Sequence, residues 1–320
     1  MTNSSTTHTT AALWEARDLY VGDPLRPDLE IPTPAVIVAG LSRREREKRV
    51  GRLVEQAEEI YRDGVVKHLG DKKLAAACIL FSGGNDSTVL AHLFRNKATH
   101  AIHANTTIGI EKTRQFVRDT CQAWGLPLLE EEAPTTYRDL VLERGFPGPA
   151  MHFKMFQRLK ERGLMSARRK LVADSRRERV VFIAGRRRAE SARRSDIPLD
   201  ERRGSVIWVS PLAMWTKLDM NTYRLMCGDV PVNEVSDLIH MSGECLCGAF
   251  AKPGELEEIR AWFPEAAAAI DQLERDARAA GHPEPFCRWG HGMGGAPSKS
   301  GALCSSCSVE GQLEMFTDRE

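Results

Sequence analysis

The twenty residues AAACILFSGGNDSTVLAHLF, 75–94, decide the fold. AAACILF (75–81) is an apolar run with the length of a buried strand and too short for a buried helix. It stops at Ser82-Gly83-Gly84, where two glycines admit backbone angles barred to other residues. The stretch STVLAHLF then carries apolar residues at helical spacing, with Asp86, Ser87 and Thr88 in what would be the first turn. The unit reads as strand, glycine turn, helix. Backbone N–H groups at such a helix start converge at the positive end of the helix dipole and form an anion cradle, to which the Ser82 and Ser87 hydroxyls add donors. Asp86 is the odd member, because a carboxylate repels an anion unless it caps the helix or binds a bridging Mg2+. The string is not a Walker A loop, since it lacks the four-residue gap and the Gly-Lys-Ser/Thr ending. A bare Gly-Gly also fits a turn whose glycines serve only packing. The whole Ser-Gly-Gly-x-Asp-Ser string, at the C-terminal end of a first strand where open α/β sheets bind ligands, favours the cradle.

The alternation continues outward. HAIHANTT (100–107) predicts a second strand, EKTRQFVRDTCQAWG a helix closed by Gly125, and LPLLEEEA a third strand. RVVFIAG (179–185) and GSVIWVS (204–210) predict two more. Strands alternating with helices over 75–210 imply an α/β fold with a doubly wound, mostly parallel sheet. Upstream, residues 42–69 predict an amphipathic helix whose face carries Val50, Leu53, Val54, Ala57, Ile60 and Tyr61. Past Pro211 the strand signals stop: 217–242 and 253–280 read as helices, and the tail from 281 is rich in Gly, Pro, Cys and Ser. The expected organisation is a flexible segment over 1–41, a nucleotide-binding α/β domain over 42–210 and a helical, cysteine-rich region over 211–320.

The chain has 320 residues, 45 Lys+Arg against 44 Asp+Glu, 42% hydrophobic and 28% charged residues. That is the composition of a globular protein, and a net charge of +1 does not mark the whole chain as a nucleic-acid or membrane binder. No uncharged apolar run approaches the ~18 residues of a membrane span. The start, MTNSSTTHTT, lacks the basic and apolar regions of a secretory signal, so a cytoplasmic location is expected. Charge is nevertheless uneven: Arg158 to Arg203 holds sixteen Lys/Arg against seven Asp/Glu. Guanidinium groups bind phosphate oxygens through paired donors, so Arg186, Arg187 and Arg194 read as phosphate or sulfate clamps, with Glu190 orienting one of them. Arg168, Arg169, Arg176 and Arg177 fit a solvated face equally well. A continuous patch would suit a polyanionic partner such as nucleic acid.

Of eight cysteines, five lie in the last quarter: Cys245-x-Cys247, Cys287 and Cys304-x2-Cys307. Paired short spacings in a reducing compartment hold a metal more often than a disulfide, and the spacing fits Zn2+ or an iron-sulfur cluster alike. Unrelated buried thiols are the plainer alternative. His282 and His291 are substitute ligands on the same logic, whereas Cys78 on the first strand and Cys121 on a helix read as core.

Four segments in order resemble the PP-loop ATP pyrophosphatases, and within them the phosphoadenylylsulfate (PAPS) reductase-like branch. SGGNDS (82–87) is similar to the family's pyrophosphate loop, with Asn85 where a lysine is common. NTTIGIEKTRQFV (105–117) resembles its second strand and turn, with Thr107, Gly109 and Thr113 in register. AGRRRAESARRSD (184–196) is similar to its Gly-x-Arg, Glu-Ser, Arg signature, here Gly185, Arg187, Glu190, Ser191 and Arg194. SPLAMWTKLDMNTY (210–223) resembles the Pro-Leu, Trp-Thr, Asp, Tyr segment that follows. The resemblance implies a Rossmann-like fold of the adenine nucleotide alpha hydrolase type. It also implies ATP or an adenylyl-sulfate nucleotide as ligand, held by Ser82 to Ser87, Thr107, Gly109, Gly185 to Arg187, Glu190 and Ser191, with Asp86, Arg187 and Arg194 catalytic. It tilts the cysteine site toward a [4Fe-4S] cluster. The family's sulfonucleotide reductases use a nucleophilic cysteine near the C-terminus, and the residues after Cys307, SVEGQLEMFTDRE, contain none. The expectation is therefore the family's other chemistry, adenylylation of a substrate with release of pyrophosphate, as in DNA phosphorothioation and tRNA thiolation, with a nucleic-acid substrate or a sulfur donor protein as partner. Reduction of PAPS to sulfite and non-catalytic nucleotide binding are the alternatives.

Overall fold

The computed structural model describes Leu25, residues 31–191 and residues 194–292. A short helix, α1 (Ala35–Ala39), precedes α2 (Arg43–Leu69). Ser42 starts α2 with a capping box, accepting from the Glu45 backbone N–H while the Glu45 carboxylate accepts from the Ser42 backbone N–H. Then follow β1 (Lys73–Leu80), α3 (Asn85–Phe94), β2 (His100–Asn105), α4 (Glu111–Ala123), β3 (Leu128–Glu132), α5 (Tyr137–Arg144) and α6 (His152–Phe156). A π-helical turn over Gln157–Glu161 runs into α7 (Arg162–Leu171), after which come β4 (Glu178–Ile183), β5 (Asp200–Arg203) and β6 (Val206–Val209). The last described elements are α8 (Lys217–Cys227), α9 (Glu234–Ile239), α10 (Glu255–Trp262) and α11 (Pro264–Ala279). Among the described residues no helix is long and apolar enough to cross a membrane.

The six strands form one sheet in the order β3-β2-β1-β4-β6-β5. β1 pairs with β4 in parallel, Ile79 opposite Ile183, and β4 pairs with β6 in parallel, Ile183 opposite Val209. β5 is antiparallel to β6. The strand order reverses between β1 and β4, so the expected doubly wound, mostly parallel α/β sheet is present. The carboxyl ends of β1 and β4 flank its switch point, the place where open α/β sheets bind ligands.

The chain divides into two compact units: residues up to Leu80 with Asp86–Ala101 and Lys170–Pro231, and Phe81–Asn85 with Ile102–Arg169 and the residues from Val232. In the first, α2 buries Val50, Leu53, Ala57 and Ile60, spaced by three and four, as an apolar helix face requires. On the same face Arg49 is fully buried, donating to Asp219 from Nε at 2.9 Å and from Nη2 at 3.3 Å, and to Thr33 from Nη1. Asp219 also accepts from the Thr216 backbone N–H and hydroxyl at the start of α8, so one carboxylate caps a helix and neutralises a buried cation. In the second unit the core gathers Tyr137, Leu140, Phe146, Leu159, Ile259 and Ile270 with many smaller apolar residues.

Two expected helices are each divided. The 217–242 segment breaks after α8 because Gly228, left-handed at φ 72°, closes that helix and Pro231 follows it. The 253–280 segment breaks at Phe263-Pro264, where the proline has no N–H to continue α10 and instead opens α11.

Candidate functional site

The glycine turn is divided in sequence between the two units, with Phe81–Asn85 in the second and the residues from Asp86 in the first. In the first unit, Asp86 lies in the first turn of α3, and Arg187 Nε donates to its Oδ2 at 2.6 Å. The Arg187 side chain is 7% exposed, so this is a largely buried ion pair. It forms because Gly185 brings the strand end against the loop: a Cβ there would sit 3.3 Å from the Asp86 carbonyl oxygen and 3.4 Å from the Ser87 nitrogen, closer than side chains usually pack. Arg194 bonds to Glu190. Partial burial raises the Glu190 carboxyl above its ordinary range, opposed by Arg194 and reinforced by Asp86, so the two acid–arginine pairs share one electrostatic neighbourhood. Ser191 is exposed. Arg186 departs from the others. Its Nη2 donates to Ser210 Oγ at 2.8 Å, Nη1 lies 3.6 Å from Glu201, and the guanidinium stacks over Trp208, which makes it a strut of the β5–β6 edge.

In the second unit, Gly83 is left-handed at φ 77°, and a Cβ on it would lie 2.8 Å from Thr113 Cγ2, so both conformation and space demand glycine. Its carbonyl accepts from Asn233 Nδ2 at 2.8 Å and from Ser236 Oγ at 3.3 Å. Asn233 Nδ2 also donates to Thr113 Oγ1, whose own hydroxyl donates to the Ser242 carbonyl. The turn is thus pinned by its carbonyl from behind. Because C=O and the following N–H of a trans peptide point oppositely, that pin sets the direction of the Gly84 amide. The Asn233 and Ser236 contribution was not foreseen, although Asn233 ahead of Glu234 carries the signature of a helix N-cap, which it is. Thr107 is also left-handed, at φ 63°, a strained choice for a β-branched residue. Its N–H donates to Asn105 Oδ1 at 2.9 Å and its hydroxyl oxygen accepts from the Tyr137 N–H at 2.7 Å, which holds it there. Gly109 packs against the Glu244 carbonyl.

Glu244 organises the thiol site. It is 1% exposed and accepts from the Thr106 N–H at 2.8 Å, while His103 Nε2 lies 3.0 Å and Arg114 Nε 3.5 Å from its other oxygen. His103 Nδ1 faces the Phe81 carbonyl at 2.8 Å. A carbonyl only accepts, so Nδ1 donates to Phe81 and Nε2 is left to face Glu244. The Glu244 carbonyl accepts from the Thr106 hydroxyl, that of Leu246 from Trp289 Nε1 at 2.7 Å, and that of Cys247 from the Tyr137 hydroxyl at 2.7 Å. These bonds fix the loop that carries Cys245 and Cys247. The two free thiols share a hydrogen bond, which with Lys160 pulls Cys245 down to about 6 against the opposing effect of burial; the same hydrogen bond and burial push Cys247 well up.

As soft donors fixed on one loop, Cys245 and Cys247 fit two positions of a thiolate metal site. Cys287 is buried in the same unit, but the three sulfurs do not all lie within 4.8 Å of one another, whereas tetrahedral Zn–S bonds of ~2.3 Å would bring them closer. Cys304 and Cys307 lie outside the described residues. His282 and His291 each bond a backbone carbonyl, of Leu142 and Phe146. For Mg2+, Asp86 offers a carboxylate one of whose oxygens is taken by Arg187. Cys78 and Cys121 are buried, which pushes each thiol up to about 12, as inert core residues require.

Residues 76–238, about half of the chain, match the profile of the phosphoadenosine phosphosulfate reductase domain. Among solved structures, the chain is similar to a phosphoadenylyl-sulfate reductase from Candida auris in a phosphate complex, at 19% identity and a TM-score of 0.39 over 62% of this chain and 93% of that one. It is similar to the FMN adenylyltransferase of Candida glabrata with FAD and inorganic pyrophosphate, at 11% identity and a TM-score of 0.40 over 71% and 69%. It is also similar to the U34-tRNA thiolase NcsA of Methanococcus maripaludis with its [4Fe-4S] cluster, at 14% identity and a TM-score of 0.34 over 85% and 90%. No curated protein matches the chain.

Proposed function

We propose, for a chain that belongs to the phosphoadenosine phosphosulfate reductase domain family, that it binds ATP on the Ser82–Ser87 loop and adenylylates a substrate. An oxygen of the substrate attacks the α-phosphorus, a new O–P bond forms, the α–β phosphoanhydride bond breaks, and pyrophosphate leaves with the electron pair. A later nucleophile such as sulfide would then displace AMP. The observation that carries this reading is the Arg187–Asp86 ion pair at a turn whose Gly83 is left-handed and pinned by Asn233. An anion cradle needs amides set in advance and an arginine held beside them, because catalysis of phosphoryl-type transfer is mostly positioning and charge neutralisation.

Asp86 supports the reading in two roles. It orients Arg187, and its second oxygen is available in kind to the Mg2+ that accompanies ATP. Glu190 and Arg194 place a second acid–base pair in the same charge cluster, Arg194 being the added phosphate ligand. Thr107, Gly109, Gly185 and Ser191 complete the proposed nucleotide contacts. Arg186, tied to Ser210 and Trp208, is left as a structural residue. Cys245 and Cys247, with two of Cys287, Cys304 and Cys307, would hold a [4Fe-4S] cluster, or Zn2+ in its place. When bound, such a group would supply a soft Lewis-acid centre. The basic residues between Arg158 and Arg203 favour a nucleic-acid acceptor.

The test is product analysis with ATP, Mg2+ and candidate acceptors. AMP and pyrophosphate are expected, and Asp86→Ala should depress their release. An unchanged rate in that variant would remove the assigned loop, sulfite formed from PAPS and a thiol would establish the reductase instead, and ATP binding without turnover would leave a nucleotide-binding subunit.

A further inference from the structure

Apart from the glycine turn and the cysteine loop, one set of side chains in the first unit has ligand chemistry that neither uses. His92 on α3, Cys227 at the end of α8 and Asp229 two residues on present ring nitrogen, sulfur and carboxylate oxygen atoms that all lie within 4.8 Å of one another. They are the one trio of His, Cys, Asp or Glu among the described residues that does so. We propose that His92, Cys227 and Asp229 bind a divalent zinc ion, with the fourth position open to solvent.

The fold brings these atoms together from two helices. Gly228 is left-handed at φ 72° and closes α8, so the chain reverses between Cys227 and Asp229 and both side chains turn to His92. His92 is buried, whereas Cys227 and Asp229 are exposed, so an ion can enter without disturbing the core. Nitrogen, sulfur and carboxylate oxygen are the three donor types that zinc accepts, and three protein ligands with one open position is the coordination of zinc sites that bind a further ligand.

The groups behind the ligands support the same reading. His92 Nδ1 lies 2.9 Å from the Tyr223 hydroxyl, and Tyr223 is itself buried and packed edge-on against both the His92 ring and Trp215. That bond fixes the ring and directs Nε2 at Asp229 Oδ1, 2.9 Å away. Arg95 Nη2 lies 3.6 Å from the other oxygen, Oδ2, and its Nη1 donates to the His92 carbonyl at 2.6 Å. Ligating histidines are commonly oriented by such an outer partner, bonded through the ring nitrogen that the metal does not use, and the Arg95 charge lies near the carboxylate oxygen that faces away from His92. Without metal, His92 and Asp229 share a hydrogen bond at the place where the ion would sit. Binding at Nε2 would move the ring proton to Nδ1, where the Tyr223 oxygen accepts it.

Because Cys227 is exposed, alkylation read at this one residue by peptide mass spectrometry reports on the site without interference from zinc held by other cysteines. In the full-length protein, micromolar Zn2+ should slow Cys227 alkylation about tenfold or more, and Asp229→Asn, a change at an exposed side chain, should abolish most of that protection. The Co2+-loaded protein should show a thiolate charge-transfer band that decreases in Cys227→Ser. An alkylation rate at Cys227 indifferent to saturating Zn2+ would overturn the site. So would protection that persists undiminished in Asp229→Asn, since the ion would then be held by other groups.

Discussion

Arg187 meets Asp86 through Nε, the inner nitrogen of a planar fork, which directs the rest of the guanidinium along the same plane. Lysine keeps the charge but has no fork, so Arg187→Lys should preserve ATP affinity better than turnover. A drop in kcat for pyrophosphate release of about a hundredfold with a small change in KM is the expected result, by analogy with removal of one preorganised donor. A raised KM with kcat unchanged would make Arg187 a plain ground-state binder. Thr107 poses a different residue-scale question, because it combines a left-handed backbone with a hydroxyl that accepts from the Tyr137 N–H. Thr107→Ala keeps the strain and loses the bond, and should cost about 1–2 kcal/mol in denaturant unfolding. Thr107→Gly loses the same bond but relieves a left-handed penalty of about 1 kcal/mol, so it should be the milder of the two. If the alanine variant is the more stable, the strain argument is wrong.

At the scale of elements, legibility followed local chemistry. The strand, turn and helix at 75–94 could be read because a buried parallel strand is continuously apolar and a helix start gathers short polar residues. β5 was missed because Asp200–Arg203 has no apolar face, and charged side chains are what an exposed sheet edge requires. α5 to α7 were missed too; the tight packing of Tyr137 and Leu159 comes from partners distant in sequence, such as Cys247 and Ile259. The same holds in the site. The Arg187–Asp86 pair unites two motifs that were each legible, but nothing local says that Arg186 would turn to Trp208, or that Asn233 would hold Gly83 across 150 positions. α10 offers a test of how burial and helix start compete. Glu255, in its first turn, accepts from the Lys252 N–H at 3.0 Å, yet burial raises its carboxyl to about 7. The folded state therefore holds this proton more tightly than the unfolded chain, so the stability it contributes is full below about pH 4 and is lost as pH rises through about 7. Glu255→Gln can accept the same N–H and removes the titration. It should be more stable to denaturant than the parent protein at about pH 8, by up to about 3 kcal/mol, with the gap closing toward about pH 4. A pH-independent difference would mean that the charge is not what burial penalises.

For the whole molecule, net charge says less than where the charges go. Several arginines of the basic stretch serve the fold: Arg179 donates to the Ser175 and Glu178 carbonyls, Arg188 to the Ile197 carbonyl, and Arg203 pairs with Glu201. Arg169, Arg176 and Arg177 are exposed and remain candidates for a polyanion. Metal content is the other property of the chain as a whole, and here the structure separates scaffold from cargo. The Cys245–Cys247 loop is held by Thr106, Tyr137 and Trp289 through its carbonyls, and Glu244 by His103 and the Thr106 N–H, none of which needs a metal. A zinc-finger-like domain, by contrast, is unfolded without its ion. If Cys245 and Cys247 hold the proposed cluster, protein purified without oxygen should be brown. Removing the iron should bleach it and lower its melting temperature while leaving the far-ultraviolet circular dichroism and ATP binding in place. Collapse of the secondary structure on chelation would show that the carbonyl bonds are a consequence of the bound group and not its scaffold. A colourless protein whose stoichiometric zinc persists in Cys227→Ser would replace iron by zinc at Cys245 and Cys247, and would leave the Arg187–Asp86 loop and its proposed pyrophosphate chemistry untouched.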